Sequence, residues 1–555
     1  MSRGLSKYGS AQAGHLPPMR FEWSDAAWLA LAAAVAAVIH GWIAAYAVTV
    51  TTFTDSIDYL LMADFYRAAL HGGDTVAAAG AYQVTRFPPL FPALLGVFGA
   101  GSDMHHLAAV VANSIAVLAI VAVWLWVRLD RDSAKAATLV SVSLLVLPFY
   151  FAINLVPVSE PLGIFLMAAA FALLAVPKPT QSRLLVAALL IGIAPLARTA
   201  LLPLPIAYLI WMAIARPLSW KRLLLPAMVA WLPTLLWAAY RRGLGSERYA
   251  ELLSSERFAI AGMTWPEALW QQPLRAFDAF VACWGVPASP MLQILTLCLT
   301  VLALGGGLLR LRGNRIDAWF LGGYLAMILI WPFPEELRRF LVVVYPCLLL
   351  CSLTALQALA CGRLPVGMPI AVGGLMAVVV AATLPGGIHF SRRAMLPVDK
   401  ELLGDKREPG FFLMESDTQA LQVAEVYARA RILLQEATDV VPTDACIYGV
   451  PEQIVLVYSR RQTVAYPTGL GVDPVATADA LQHCDYFFVA AWHASAYGVR
   501  PLYPSEGLLG WTEPVLVSSM MINNQPRVAA ALLMRKERQL EHSEQRGRNG
   551  SRKLQ

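Results

Sequence analysis

Charge is what this chain has least of. Asp, Glu, Lys and Arg make up 14% of its 555 residues, against about 25% in soluble domains, and that excludes an ordinary water-soluble globule. Cysteine is sparse too, with seven residues and neither a Cys-x-x-Cys pair nor clustered His to mark a structural metal site. No Gly-x-Gly-x-x-Gly or P-loop signature provides for a nucleotide. Internal repeats of the kind that mark secondary transporters are missing as well. The net charge of +6 gathers in short loops between apolar runs, a topological bias, and no nucleic-acid partner is expected.

What is present is apolar sequence, 58% of the chain, with a mean hydropathy of +0.57. Runs long enough for a helix of about 20 residues to cross a bilayer lie at about 25–49, 105–127, 136–153, 157–176, 222–240, 291–309, 316–332, 340–360 and 366–385. The stretch 184–215 is apolar but carries Pro195, Arg198, Pro203 and Pro205. Lys and Arg favour cytoplasmic loops. Arg20, Arg128, Lys135, Lys178, Arg216, Arg310 and Arg363 fall on one side only if 184–215 crosses twice, in passes of about fifteen residues. The expected fold class is a polytopic α-helical membrane protein of about eleven transmembrane helices, with a broken hairpin that has Arg198 near its outer tip. The first run lacks a small-residue cleavage site and reads as a retained anchor. The expected location is a bacterial inner (plasma) membrane, multi-pass, with the N-terminus in the cytoplasm.

Beyond 385 the composition changes. Asp417 to Glu436 reads as an amphipathic helix, and 446–450, 485–490, 514–518 and 527–533 read as short strands. The expected division is a cytoplasmic leader at 1–24, a membrane region at 25–389, an extracytoplasmic α/β domain at 390–535 and a disordered tail at 536–555. For Cys446 and Cys484 the plainer reading is two buried free thiols; a disulfide is the alternative in an oxidising compartment. Tyr448, Trp492, His493, Tyr497 and Trp511 are of a type that stacks on sugars, although such aromatics are more often core.

The charges that remain on the outer side are few. Asp and Glu beside a bilayer are costly and tend to be functional, and arginine there goes against the positive-inside bias. Thr54-Asp55-Ser56-Ile57-Asp58-Tyr59 follows the first span. If helical, it turns Asp55 and Asp58 to one side, where one could act as a general base and the other orient it or bind a cation. Capping a surface helix is the alternative. Arg86-Phe87-Pro88-Pro89-Leu90-Phe91-Pro92 is a stiff re-entry into apolar sequence or a simple helix start. Ser159-Glu160-Pro161 opens a span, and Glu335-Glu336-Leu337-Arg338-Arg339-Phe340 precedes another. Arginine suits a phosphate through its planar donor fork.

These pieces, in this order, resemble the GT-C superfamily of glycosyltransferases that use polyprenyl-phosphate sugars, among them lipid A aminoarabinose transferases and protein O-mannosyltransferases. The resemblance covers roughly residues 25–385. It rests on an acidic residue past the first span, a helix over Tyr59 to Leu70, the Pro-Pro re-entry, Ser-Glu-Pro, Leu196-Ala197-Arg198-Thr199, and an Arg-Phe…Tyr-Pro span. It implies Asp55 as the catalytic base with Asp58 as the fallback. Arg338 and Arg339 would lie at the donor phosphate, with Arg86 and Arg198 as helpers. Glu160 and Tyr59 are expected at the acceptor or sugar. The implied reaction transfers one sugar, with inversion, from a polyprenyl-phosphate donor to a lipid, glycan or protein acceptor on the outer face. No cofactor is required by this reading, though a divalent cation is compatible with it. A flippase or transporter of lipid-linked saccharide, or a glycan ligase, is the alternative.

Overall fold

The structure is a computed structural model that describes residues 22–46, 54–72, 87–176, 179–215, 220–243, 265–284, 290–329, 331, 337–361, 367–394, 417–449, 452–464, 483–490, 510–522 and 524–536. Among the described residues fifteen α-helices precede the first long polar stretch. They are α1 (Trp23–Tyr46), α2 (Thr54–His71), α3 (Leu90–Val97), α4 (His105–Arg131), α5 (Ala134–Leu145), α6 (Pro148–Ile153), α7 (Glu160–Leu174) and α8 (Gln181–Ala197), then α9 (Pro203–Ala215), α10 (Trp220–Gly243), α11 (Trp265–Ala282), α12 (Pro290–Arg312), α13 (Ile316–Leu329), α14 (Leu337–Cys361) and α15 (Gly367–Ala394). Among the described residues five stretches are long and apolar enough to cross a membrane, Trp23–Ala45, His105–Arg131, Leu223–Arg242, Pro290–Arg312 and Leu337–Ala360, and there are six shorter apolar helices. The protein is membrane-embedded.

Local chemistry explains the breaks. The Ser133 and Thr180 side chains cap α5 and α8, taking a backbone N–H that would otherwise be orphaned. The apolar run 136–153 is two helices, not the one span expected. Leu147 is extended because the ring of Pro148 disfavours helical backbone in the residue before it, and Pro148 then starts α6. The 184–215 hairpin breaks where expected: Arg198 is extended between α8 and a 3-10 turn at Thr199–Leu201, and Pro203 opens α9. Helix α15 runs past the expected end at 385, through Pro385 to Ala394. Helix α11 occupies a stretch in which no element was expected.

Helices approach closely where side chains are absent, as is common in membrane bundles. A Cβ on Gly192 would lie 2.7 Å from the Val229 carbonyl oxygen, and one on Gly306 would overlap the Cys351 carbonyl oxygen of α14. Gly306→Ala should therefore force α12 from α14 and cost about 1–3 kcal/mol by overpacking. Thermal denaturation of the detergent-solubilised protein would show it as a lowered midpoint, and an unchanged midpoint would contradict the packing.

The remainder is α/β. Helix α16 (Asp417–Val440) precedes β1 (Cys446–Tyr448), α17 (Glu452–Ser459), β2 (Gln462–Val464), β3 (Tyr486–Ala490), β4 (Thr512–Ile522) and β5 (Gln525–Arg535). The sheet order is β2-β1-β3-β5-β4, with β1 parallel to β2 and β3 and the β3–β5 and β4–β5 pairs antiparallel. Both α17 and β2 lie beyond what the strand pattern indicated. Cys446 and Cys484 form a disulfide, correcting the plainer expectation of free thiols. Adjacent strands bring the two Cα atoms to 5.2 Å, a separation a disulfide can bridge. The sheet unit seats on the bundle: α17 packs against α2, Ala420 joins Ile43, Ala152 and Leu155 in one cluster, and Arg393 Nε reaches Asp417 Oδ1 at 3.2 Å.

Candidate active site

Four charged residues from four separate elements meet at one end of the bundle. Asp55 lies in the first turn of α2, Glu160 opens α7, Arg339 lies in the first turn of α14, and Arg198 sits at the break after α8. The N-terminal ends of helices favour carboxylates, and two carboxylates so placed invite arginines. Arg339 Nη1 donates to Asp55 Oδ2 at 2.6 Å and Nε donates to Glu160 Oε1 at 2.6 Å. Arg198 Nη1 approaches the same Glu160 oxygen at 2.9 Å, and its guanidinium stands 5.1 Å from the centre of the Phe340 ring. Tyr324, buried in α13, donates its hydroxyl to the Phe340 carbonyl at 2.8 Å and so braces the start of α14.

Burial grades this cluster. The Glu160 side chain is fully buried and that of Asp55 is 25% exposed. Arg198 Nε and Glu160 Oε2 are buried without a hydrogen-bond partner among the described residues, so the cluster offers a donor and an acceptor that its own pairs do not use. Glu160→Ala would leave two arginines buried without their shared carboxylate. Its expected cost is about 3–5 kcal/mol, read as a large drop in the thermal midpoint, whereas a drop within error would mean that the cluster is wetter than this packing.

The other expected site residues divide. Asp58, one turn along α2, is buried, so the water-facing carboxylate of the pair is Asp55. Tyr59 is buried, with its hydroxyl 2.9 Å from Ser159 Oγ and its ring edge-on to Phe87 and Phe91. That wedge ties α2 to the Pro-Pro re-entry and to the residue before Glu160. Burial, then the Asp55 charge, pushes the Tyr59 phenol well above its usual range. Arg338 is exposed on α14, whereas its neighbour Arg339 is buried. Arg86 lies outside the described residues, as do Trp492, His493 and Tyr497. Tyr448 is core, stacked on Phe487, and Trp511 is half exposed. Among the described residues no group of three or more His, Cys, Asp or Glu is arranged to hold a metal.

Two supporting features were not anticipated. Asp64 and Arg67 of α2 form a latch with the turn after α3: Arg67 bridges Asp64 at 3.0 Å and Asp103 at 2.6 Å, and Ser102 donates N–H and O–H to Asp64. Burial pushes the Asp64 carboxyl up, against the pull of Ser102 and Arg67. Asp103 is held below its usual range, against its own burial, by its bond to Arg67. The second feature is an apolar groove of about 480 Å³ between α9 and α13, lined by Leu202, Pro203, Ile206, Ile210, Trp319 and Met327 among others. It begins four residues after Arg198 and runs away from the cluster. Nothing in an apolar run announces a groove, but Gly322 and Gly323 facing α9 are the residues that make the room.

No family model matches the sequence. No curated protein sequence matches it. Among solved structures, the oligosaccharyltransferase AglB from Archaeoglobus fulgidus, in complex with an inhibitory peptide and a dolichol-phosphate, superposes with a TM-score of 0.52 at 11% identity, over 92% of this chain and 75% of that one. ArnT from Cupriavidus metallidurans bound to undecaprenyl phosphate covers 91% of this chain and 98% of its own at 15% identity, with a TM-score of 0.49. The overall fold is thus shared with AglB, and it is the GT-C fold that the sequence resemblance implies.

Proposed function

We propose that the protein is a membrane glycosyltransferase that moves a single sugar from a polyprenyl-phosphate donor to an acceptor hydroxyl or amine on the outer face of a bacterial inner membrane. The observation that carries this reading is the buried, doubly paired Arg339 beside the water-facing Asp55. Charge gathered at one face of a bundle suits a reaction at that face, whereas a transporter would place its charge near the midplane. AglB, which shares the fold, was solved with a dolichol-phosphate, a lipid phosphate of the class proposed for this donor.

In this reading the prenyl tail lies in the α9–α13 groove, whose lining begins four residues after Arg198, and the phosphate comes to rest beside Arg339 and Arg198. Exposed Arg338 adds positive charge on the approach. Asp55 takes the acceptor proton, a contribution of about 10²–10⁴-fold for a general base. The acceptor atom then bonds to the anomeric carbon from the face opposite the phosphate, and the carbon–oxygen bond to phosphate breaks with its electrons on that oxygen. The configuration inverts, and a prenyl phosphate leaves. Because the leaving group stays charged, it needs cations rather than a proton, and fixed cations are often the largest catalytic contribution. Glu160 holds the arginines in place, Tyr59 fixes α2 against α7, and Asp58 is the reserve carboxylate. The α/β unit of 390–535, packed on α2, covers the acceptor side.

The test is transfer itself. Membranes containing the protein, given a polyprenyl-phosphate sugar labelled in the sugar, should move label into a lipid, glycan or protein fraction and release unglycosylated prenyl phosphate in equal amount. Movement of intact labelled donor across the bilayer without cleavage would instead identify a flippase.

A further inference from the structure

The partners of Arg339 are not held alike. Glu160, on its inner side, is fully buried and also serves Arg198, so moving it would strand a carboxylate and a second arginine away from water. Asp55, on its other side, has a quarter of its side chain exposed and is the partner that water can reach. The cluster of Arg198, Arg339, Glu160 and Asp55 is electrically neutral as it stands. A phosphodiester arriving from the groove adds one negative charge and needs a donor edge, and the Nη1 edge of Arg339 is the one whose present occupant can leave.

We infer that the donor phosphate and Asp55 compete for the same edge of Arg339, so that donor binding frees the base and Asp55 is fit to take a proton only when a donor is in place. This rests on the transferase reading above. A carboxylate paired with arginine is a poor proton acceptor, and one released from it is a better one. The charges balance through the step. The phosphate gains one negative charge as the carbon–oxygen bond breaks, Asp55 loses one on taking the acceptor proton, and Arg339 faces the growing charge throughout. Once Asp55 gives its proton to water, it competes again for Arg339 and helps expel the prenyl phosphate. Without donor, the base stays quenched and the acceptor is not activated. Binding is therefore donor first.

The experiment is equilibrium binding of farnesyl phosphate to the full-length protein in nanodiscs. Asp55→Asn should bind about tenfold more tightly than wild type, because a competing charge-assisted bond is gone, and Arg339→Ala should lose binding. Asp55→Ser should show the same tightening, and it serves if the Asn variant is poorly folded. Unchanged or weaker binding by folded Asp55 variants, with wild-type binding intact, overturns the exchange but leaves the transferase reading standing. Absence of saturable binding to wild type overturns the transferase reading and the exchange with it.

Discussion

Arg339→Ala should lower glycosyl transfer by about 10²–10³-fold, the loss seen when one fixed charge-stabilising donor is removed from an active site. The size follows from geometry. Arg339 presents Nε to Glu160 and Nη1 to Asp55, both at 2.6 Å, so one planar fork is fixed by a buried anion while its other edge meets the more exposed carboxylate. Arg339→Lys keeps the charge but cannot hold both partners in one plane, and it should recover only a small part of the rate. Arg338→Ala is the internal control. Arg338 is exposed on the same helix, so its loss should change the rate by less than about fivefold, the scale of exposed charge pairs. Initial rates of prenyl phosphate release for the three variants decide this. Equal losses for Arg338→Ala and Arg339→Ala would place the donor phosphate between the two arginines instead of on the buried one.

Asp55→Asn should lower turnover by about 10²–10⁴-fold, the range of a general base, while donor still binds. The substitution keeps the shape of the side chain and removes the charge that accepts the proton. The loss should appear in kcat at saturating donor, with a donor KM no higher than that of wild type. Asp58→Asn separates the two candidates, since Asp58 is buried one turn along and should lower stability more than turnover. A rate retained in Asp55→Asn and lost in a folded Asp58→Asn would move the base by one helical turn.

Much of this site was legible because charge is so scarce. An Asp after the first span and an Arg before a late one stand out in an apolar chain, and the structure joins Asp55 to Arg339 although 284 positions separate them. The break at Arg198 was legible for a similar reason, since two short passes cannot be one straight helix. What hydropathy could not give was direction around a helix. Arg338 and Arg339 are adjacent in sequence, yet only the second turns inward, and that depends on where α14 meets α7. Pro148 divides an apolar run because its ring acts on backbone angles to which composition is blind. Helix α11 mixes Gln, Arg and Asp with Trp and Phe and reads as a loop until its apolar side is packed. The disulfide needed the knowledge that β1 and β3 are neighbours, which two Cys 38 residues apart do not supply.

The opposite end of the bundle shows the same charges used for architecture alone. Arg310 pairs with both Asp130 and Asp317, and Arg131 reaches Thr354 and Gln357 of α14. Thr354 is about 20 Å along α14 from Arg339, at about 1.5 Å per residue. That network ties α4, α12, α13 and α14 with both oxygens of Asp130 and Asp317 paired; Arg131 Nε and Arg198 Nε alike lack a hydrogen-bond partner among the described residues, but of the carboxylates only Glu160, in the other cluster, keeps an oxygen unused. The contrast in satisfaction, more than burial, separates a clamp from a site.

In the function proposed above, Arg339 and Arg198 hold a lipid phosphate carrying one sugar. Native mass spectrometry of protein purified gently from its own membrane, wild type beside Arg339→Ala, tests it most directly. The expected result is a co-purified polyprenyl phosphate, bare or bearing a single sugar, on the wild type and absent from the variant. A wild type that carries no such lipid, or carries one bearing a long glycan, would contradict the account.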